Sequence, residues 1–239
     1  MAAAPISPEG ARGNRLLAAL PEAAWARLRP ELEVVQLRLK EPFHEAGRPI
    51  QHVHFPITGV ASMVATLQEG GVVEVATIGN EGLVGLPVFL GARTSPMATF
   101  LQIPGPTARL PADTLRAEVA RGGPLVALLH RYTHAFFAQL AQSVACNRLH
   151  PLPERLARWL LMTWGRAGDE FPITHGVMGQ MLGVRRAGVT EALQALRRAG
   201  ALEHRRGRMR VMDRAVLEEA SCECYRIIRD EYGKMLEGA

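Results

Sequence analysis

Residues 172–200 read PITHGVMGQMLGVRRAGVTEALQALRRAG, and this stretch decides the fold of the carboxy-terminal part of the chain. Thr174 precedes an apolar pattern of helical spacing over 175–182, where its side chain can cap the first turn. Gly183 follows at once and can take the positive φ of a tight turn between two helices. A second helix is predicted over 185–199. The stretch therefore predicts a helix-turn-helix.

The second helix has two different faces. Four apolar residues recur at helical spacing and are expected to face a core, namely Val189, Ala192, Leu193 and Leu196. Arg185, Arg186, Thr190 and Gln194 lie on the opposite face. In a helix-turn-helix the amino-terminal end of the second helix enters the major groove of DNA. We therefore predict DNA contacts from Thr174, Arg185, Arg186 and Thr190.

An arginine-rich hairpin follows directly. Residues 201–203 and 209–211 look like two short strands joined at Arg205-Arg206-Gly207-Arg208, the arrangement called a wing. Arg205, Arg206 and Arg208 are expected to reach backbone phosphates. Two helices and a glycine turn alone would also fit a plain structural hairpin, but the basic wing downstream favours DNA binding.

Positive charge is concentrated in this part of the chain. The whole sequence carries 28 Lys+Arg and 23 Asp+Glu, a net charge of +5. Residues 171–214 hold nine arginines and three acidic residues, so nine minus three gives +6 in 44 residues. All nine are Arg, which favours planar contacts to phosphate or guanine over a merely solubilising charge. The distribution predicts a polyanionic partner.

The amino-terminal part has a different period. With 239 residues, 48% hydrophobic and 21% charged, the chain allows one large domain or two modest ones and excludes collagen, disordered and disulfide-scaffold classes. Residues 14–29 predict two short helices separated at Pro21. Over 33–110 short apolar runs alternate with glycine-rich turns, including a hairpin turn at 68–71, which predicts a small antiparallel sandwich or barrel.

A long amphipathic helix is predicted from Pro124 to about Asn147. Its apolar stripe consists of Leu125, Leu128, Leu129, Tyr132, Phe136, Leu140 and Val144. A second copy of the chain is the simplest partner for this stripe, so we predict a homodimer with a coiled-coil-like seam. Packing of the helix onto its own barrel is the alternative.

These patterns predict an α+β fold in three parts. Residues 1–123 form an amino-terminal antiparallel β-roll, jelly-roll-like, that carries short helices. Residues 124–150 form the dimerisation helix. Residues 151–239 form a carboxy-terminal winged helix-turn-helix domain.

The sequence resembles the Crp-Fnr family of bacterial transcription regulators over nearly the whole chain. The residues that carry the resemblance are ERLARWLL at 154–161, THGVMGQMLGV at 174–184, VTEAL at 189–193, HFPITGV at 54–60 and Ile78-Gly79. The resemblance implies a cyclic-nucleotide-binding-like β-roll that senses an effector and a winged helix-turn-helix that binds palindromic double-stranded promoter DNA. RNA polymerase is a candidate partner.

Two departures from the family pattern limit what carries over. Cyclic-nucleotide-binding members have a Gly-Glu and a later Arg in their phosphate cassette, whereas this chain has Gly82-Leu83-Val84-Gly85 and Pro96-Met97-Ala98. Without that Glu and Arg, a buried phosphate would lose its main charge-assisted hydrogen bonds, so cyclic AMP is not expected. The candidate effector-pocket residues are Val75, Gly82, Leu83, Gly85, Arg93 and Ala98. Arg186-Ala187 and Glu191 also depart from the best-known recognition helix, so the operator should differ.

Other residue groups carry weaker signals. His130 and His134 have metal-ligand spacing without an evident third ligand, and His52 and His54 are taken as structural. Cys146, Cys222 and Cys224 raise the question of a redox sensor but are too few for a disulfide framework. We predict no metal site, because no third ligand is evident, and no enzyme, because no nucleophile, base or phosphate-loop motif stands out. The alternative is a barrel enzyme or ligand-binding protein with a carboxy-terminal assembly domain.

The expected location is the cytoplasm, with no membrane partner. The longest uncharged apolar stretch, 82–92, is too short to span a bilayer and contains Pro87. Residues 1–10 lack a charged region followed by an apolar one, so no leader segment is expected. The effector, the cofactor and the choice between activation and repression stay open.

Overall fold

The computed structural model describes residues 8–237 of the chain. Residues 1–7, which contribute to the expectation of no leader segment, lie outside the described range. The chain forms two compact units. The first contains the residues up to Met63, Ile78–Phe136 and the residues from Tyr232 on, and the second contains Val64–Thr77 and Phe137–Glu231. These compact units do not test the predicted domain boundaries at residues 123 and 150, which stay predictions.

The strands of the amino-terminal part form two sheets. They are β1 (Glu33–Gln36), β2 (Pro42–His44), β3 (His52–Pro56), β4 (Val60–Thr66), β5 (Val72–Ile78), β6 (Ala98–Ile103) and β7 (Pro106–Pro111). One sheet has the order β1-β7-β3 and the other the order β2-β6-β4-β5. β7 pairs antiparallel with β1 and β3, and β2 pairs antiparallel with β6. The predicted antiparallel β-roll is confirmed.

Short helices accompany this roll. They are α1 (Arg15–Ala18), α2 (Glu22–Leu28), α3 (Leu86–Phe89) and α4 (Ala112–Arg121). Pro21 separates α1 from α2, as predicted. The buried side chain of Asn14 caps α1 and donates 2.9 Å hydrogen bonds to the carbonyl oxygens of Pro56 and Gly82, which ties this helix to the roll. The sequence pattern did not predict α3 or α4.

The long helix α5 extends over Pro124–Leu149, 26 residues, close to the predicted span. Its predicted stripe is only partly available to a partner, because Leu125, Leu128, Leu129, Tyr132 and Phe136 are buried within the protomer. The large exposed apolar side chains of this helix are Phe137, Val144 and Leu149, which are 68%, 71% and 75% exposed. The predicted seam is therefore wrong over its first half, where the protein's own residues cover the stripe.

The carboxy-terminal elements form the helix-turn-helix and its wing. They are α6 (Leu152–Ala167), β8 (Glu170–Pro172), α7 (His175–Leu182), α8 (Arg186–Arg198), β9 (Leu202–Arg205), β10 (Arg208–Val211), α9 (Arg214–Glu219) and α10 (Cys224–Leu236). A small antiparallel sheet has the order β8-β10-β9. Residues 165–170 contain the end of α6 and the start of β8. The predicted α+β fold with a winged helix-turn-helix is confirmed.

The tip of the β4–β5 hairpin belongs to the same compact unit as the winged helix. Its turn closes where the amide of Leu67 donates to the carbonyl oxygen of Gly71 at 2.8 Å. Within this unit the indole N–H of Trp159 donates to Glu74 at 2.6 Å, and the Gln139 amide donates to the carbonyl oxygen of Thr77 at 3.0 Å. The hairpin is thereby fixed to α5 and α6.

Among the described helices, none combines the length and apolarity that crossing a membrane requires.

Candidate nucleic-acid interface

The turn between α7 and α8 has the geometry that the sequence predicts. The Thr174 side chain caps α7 by accepting a hydrogen bond from the Val177 amide at 3.3 Å. Gly183 ends the helix with a φ of 67°, in the left-handed region that favours glycine. The Val184 amide then donates to the carbonyl oxygen of Gly179 at 2.8 Å. These bonds satisfy the end of α7 and fix where α8 begins.

Gly179 permits the close approach of the two helices. A Cβ atom at this position would lie 2.9 Å from the carbonyl oxygen of Val184, closer than real side chains come. Gly176, one turn earlier on the same helix, has room for a side chain, since a Cβ there would lie 3.9 Å from the Thr174 hydroxyl oxygen, an ordinary van der Waals contact. The glycine at 179 is therefore required by packing, and the one at 176 is not. Sequence reasoning did not single out this difference.

Helix α8 presents arginines outward. Val189, Ala192, Leu193 and Leu196 are buried, as their spacing predicts. Arg185 occupies the amino-terminal cap position and Arg186 begins the helix, and both are exposed. Among residues 8–237, no carboxylate forms an ion pair with either of them. The amino-terminal end of α8 is thus an exposed and uncompensated positive surface, which the helix dipole reinforces.

The wing has a two-residue turn with an arginine in a disfavoured conformation. Arg206 and Gly207 both have positive φ, 48° and 74°, which defines the tight hairpin turn that normally favours Asn-Gly. Arg205 and Arg206 are exposed and have no carboxylate partner within the described part of the chain. Arg208 differs from them, because it pairs with Glu170 and lowers the pKa of that carboxyl group.

Two histidines connect the recognition helix to the wing. The Thr190 hydroxyl donates to the carbonyl oxygen of Arg186 at 3.0 Å, and its oxygen lies 2.9 Å from Nδ1 of His175. Nε2 of His175 lies 3.1 Å from Nδ1 of His204, whose Nε2 lies 2.9 Å from the carbonyl oxygen of Ile173. The hydroxyl of the half-buried Thr190 therefore has hydrogen-bond partners within the protein. Sequence patterns do not reveal this series of hydrogen bonds, because its members are 15 and 29 residues apart.

The protonated form of His175 is disfavoured in this arrangement. Burial, and after it the charges of His204 and Arg186, lower the pKa of His175 from its usual 6.5. A neutral ring can accept one hydrogen bond and donate the other, as a bridge between two neighbours requires. Protonation would place another positive charge beside Arg186.

The candidate effector-pocket residues are divided between the two units. Gly82, Leu83, Gly85, Arg93 and Ala98 belong to the first unit, and Val75 belongs to the second. Leu83 is fully buried, and a Cβ on Gly82 would lie 2.8 Å from the Tyr132 hydroxyl oxygen, so the protein's own side chains pack here. Arg93 is exposed.

Val75 lines a crevice within the second unit, together with Glu74, Trp159 and Met181. The space inside it is about 20 Å³, enough for about one water molecule.

The three cysteines lie together. Cys146, Cys222 and Cys224 are buried, and their sulfur atoms cluster with a ring nitrogen of His150. His130 and His134 have no such cluster among residues 8–237, and the ring of His130 packs edge-on against Phe89. His54 is buried beside Phe43, which fits its structural interpretation. Sequence reasoning did not consider His150.

The fold and the interface together define a winged helix-turn-helix protein with an amino-terminal β-roll. Residues 154–220 match the Crp-like helix-turn-helix domain family. This match confirms the predicted resemblance to the Crp-Fnr family. Solved structures of low sequence identity share the fold of the chain. No curated protein matches the sequence.

Three solved structures illustrate the likeness in fold. FixK2 from Bradyrhizobium japonicum is 17% identical with a TM-score of 0.68, over 80% of this chain and 98% of its own. A CRP-family transcriptional regulator from Thermus thermophilus is 17% identical with a TM-score of 0.64, over 78% and 96%. The c-di-GMP responsive global regulator CLP of Xanthomonas campestris is 14% identical with a TM-score of 0.63, over 81% and 100%.

Proposed function

We propose that this protein is a homodimeric, sequence-specific DNA-binding transcription regulator that acts in the cytoplasm and is not an enzyme. In this proposal the recognition helices of two copies bind adjacent major grooves of a palindromic operator, about 34 Å apart. The β-roll senses an unidentified effector, and RNA polymerase is a partner at the promoter. The proposed DNA contacts are Thr174, Arg185, Arg186, Thr190, Arg205, Arg206 and Arg208.

The unpaired arginines of α8 and the wing carry this proposal. Four exposed guanidinium groups without a carboxylate partner, at Arg185, Arg186, Arg205 and Arg206, favour an external polyanion. Arg206 adds a second argument, because its positive φ costs about 1 kcal/mol that asparagine or glycine would avoid. A disfavoured residue at the tip of the wing is best explained by a contact that needs its charge.

A dimer seam on the second half of α5 is supported by exposed apolar residues. Phe137 and Val144 are seven residues apart and so lie on one face of the helix, with the partly exposed Leu140 between them. Exposed large apolar side chains in a row indicate a surface that another chain covers. Two copies of this helix supply such a surface to each other.

The hairpin tip offers a mechanical route from the roll to the winged helix. Trp159 on α6 binds Glu74 of this hairpin, and α6 also donates from Arg155 to the carbonyl oxygen of Leu182 at the end of α7 at 2.7 Å. An effector that binds two arrangements of the roll with different affinity would move α6 through this contact. The residues Val75, Gly82, Leu83, Gly85, Arg93 and Ala98 remain the candidate effector contacts.

Selection of binding sites from random duplexes tests the DNA proposal. We expect enrichment of a two-fold symmetric sequence, and its affinity should fall steeply with salt because arginines displace counterions from phosphates. The enriched duplex and a scrambled duplex are then compared by fluorescence anisotropy. Equal affinity for both, or no enrichment, would favour an enzyme or ligand-binding protein whose carboxy-terminal domain serves assembly.

Analytical ultracentrifugation tests the dimer separately. Phe137→Glu combined with Val144→Glu should convert a dimer to monomer, because two charges would be buried without partners at the seam. Leu90→Glu, at an exposed apolar residue of the first unit, is the matched control and should leave the dimer intact. A dimer that survives the double substitution would place the seam elsewhere.

A further inference from the structure

Four potential metal ligands meet in the second unit. Cys146 lies in the last turn of α5 and His150 directly follows its last residue, where the His150 amide still donates to the carbonyl oxygen of Cys146 at 3.1 Å. Cys222 lies between α9 and α10, and Cys224 begins α10. The three sulfur atoms and one ring nitrogen of His150 all lie within 4.8 Å of one another. Residues 76 positions apart in sequence thus converge on one point.

The spacing of these atoms fits one ion better than a cluster or a disulfide. In a tetrahedral zinc site with Zn–S bonds of about 2.3 Å, the sulfurs lie about 3.8 Å apart. Here Cys146 Sγ lies 3.5 Å from Cys222 Sγ, and Cys224 Sγ lies 3.5 Å from His150 Nδ1. A disulfide would use two of three thiols and leave the imidazole without a role. An iron-sulfur cluster, with several irons inside, needs its thiolates further apart.

The surroundings complete such a site. His150 turns Nδ1 toward the sulfurs, while its Nε2 lies 3.4 Å from the Glu223 carboxylate. This is the carboxylate-histidine arrangement that orients metal-bound imidazoles. Gln142 donates a hydrogen bond to the sulfur of Cys224 at 3.1 Å, as donors to metal thiolates do.

A buried arginine beside the cluster also indicates a negatively charged group at this site. Arg158 is buried, its Nε atom has no hydrogen-bond partner, and no carboxylate among residues 8–237 pairs with it. Its positive charge favours the thiolate form of Cys146. A buried guanidinium needs a negative partner, since an isolated buried charge is costly. Three thiolates around a divalent ion carry a net charge of minus one and would provide it.

We propose that Cys146, His150, Cys222 and Cys224 bind one zinc ion in a closed structural site. All four positions are filled by protein, so the ion has no open position for substrate. On binding, the three thiols release their protons to solvent, and the neutral imidazole donates its Nδ1 lone pair. The ion joins the end of α5 to the start of α10. This site does not depend on the proposed DNA binding, which is measured separately.

Metal analysis of the full-length protein, purified reduced and without a histidine tag, is the first test. We expect about one zinc per protomer by mass spectrometry, released when a mercurial reagent blocks the thiols. Reconstitution of the stripped protein with Co²⁺ should give the visible bands of a tetrahedral site with thiolate charge-transfer absorption. Neither result requires a variant to fold.

Variants then assign the ligands. Cys224→Ser and His150→Ala should lower zinc affinity in competition with a chelator, and His150→Cys should restore it because a four-cysteine site also suits zinc. Glu223→Gln should weaken binding about 10- to 100-fold through the imidazole. His134→Ala, an exposed histidine on the same helix, is the control and should change nothing.

Three outcomes would overturn the zinc site. The first is protein with three free thiols that binds neither zinc nor cobalt. The second is iron with acid-labile sulfide, which indicates a cluster. The third is a mass two units below the reduced value in metal-free protein, which indicates a disulfide. Operator binding that persists in any of these cases would leave the proposed function intact.

Discussion

Two arginines of the β-roll and two arginines of the winged helix are used in opposite ways. In the first unit Arg27 pairs with the buried Glu118, and Arg109 pairs with Glu33 at 2.7 Å. In the winged helix Arg186 and Arg206 have no carboxylate partner among the described residues. The same residue type therefore forms internal ion pairs at Arg27 and Arg109 and an exposed positive surface at Arg186 and Arg206. The charge of an arginine indicates function only when its carboxylate partners are also considered.

The largest expected effect is on operator affinity. Replacing Arg185 and Arg186 together with alanine should lower affinity for the selected duplex about 100-fold, because each contact of this kind is worth about 1–3 kcal/mol. The urea midpoint should stay within error, since neither side chain has an internal partner. Fluorescence anisotropy and urea unfolding monitored by circular dichroism measure the two quantities.

Arg109→Ala is the matched control from the roll. It breaks the ion pair with Glu33 and should leave operator affinity unchanged. If both variants lose affinity equally, the distinction between the two sets of arginines fails.

The next effect concerns the turn that presents these arginines. Gly179→Ala should destabilise the fold by about 1–3 kcal/mol, because the new methyl group would meet the carbonyl oxygen of Val184 and push α8 away. Operator affinity should fall with it. Gly176→Ala meets no close contact and should instead stabilise α7 by about 0.5–1 kcal/mol through helix propensity. Shifts of the urea midpoint in the same direction for the two variants would contradict this account of the turn.

At the wing, stability and binding should move in opposite directions. Arg206→Asn places a residue suited to positive φ in the two-residue turn and should stabilise the protein by about 0.5–1 kcal/mol. The same change removes a phosphate contact, so operator affinity should fall and the logarithmic salt slope should become shallower by about one. Thermal unfolding and anisotropy at several salt concentrations give both values. A gain in both quantities would remove Arg206 from the interface.

The winged helix was readable from sequence because its determinants are local. Thr174, Gly183 and the spacing of Val189 to Leu196 fix caps, turn and buried face within 25 residues. The wing turn is equally local, although the strain at Arg206 is visible only in the backbone angles. The short helices α3 and α4 were missed, because α3 has a single turn and α4 lacks a clear apolar stripe.

Features that depend on tertiary contacts could not be read in this way. The stripe of α5 looked continuous from Leu125 to Val144, and no periodicity tells which half the protein's own chain covers. The bridge from His175 to His204 and the convergence of Cys146 with Cys222 join residues far apart in sequence. Only the fold brings such partners together, so single-sequence reasoning weighed the cysteines without His150.

The smallest expected effect is on the acid stability of the roll, where ion pairs titrate. The hydrogen bonds from Arg27 lower the pKa of Glu118 below its usual 4.5. The folded state then prefers the carboxylate, so this contribution is complete above pH 4.5 and is lost as pH falls through the lowered pKa. Glu118→Gln should lower the urea midpoint at neutral pH and flatten its dependence on pH below 4.5.

His54 adds its own acid sensitivity, because burial lowers its pKa to about 3 in the folded state. As pH falls below 6.5, the unfolded state therefore binds a proton that the folded state does not, and stability decreases. Wild type and Glu118→Gln both contain His54, so the difference between their urea midpoints at each pH reports on Glu118 alone. Arg185→Ala should leave the dependence of the urea midpoint on pH unchanged, since that arginine forms no ion pair with a carboxylate of the described residues. Parallel curves for wild type and Glu118→Gln would show that the ion pair of the roll contributes nothing, and that paired and unpaired arginines differ only in binding.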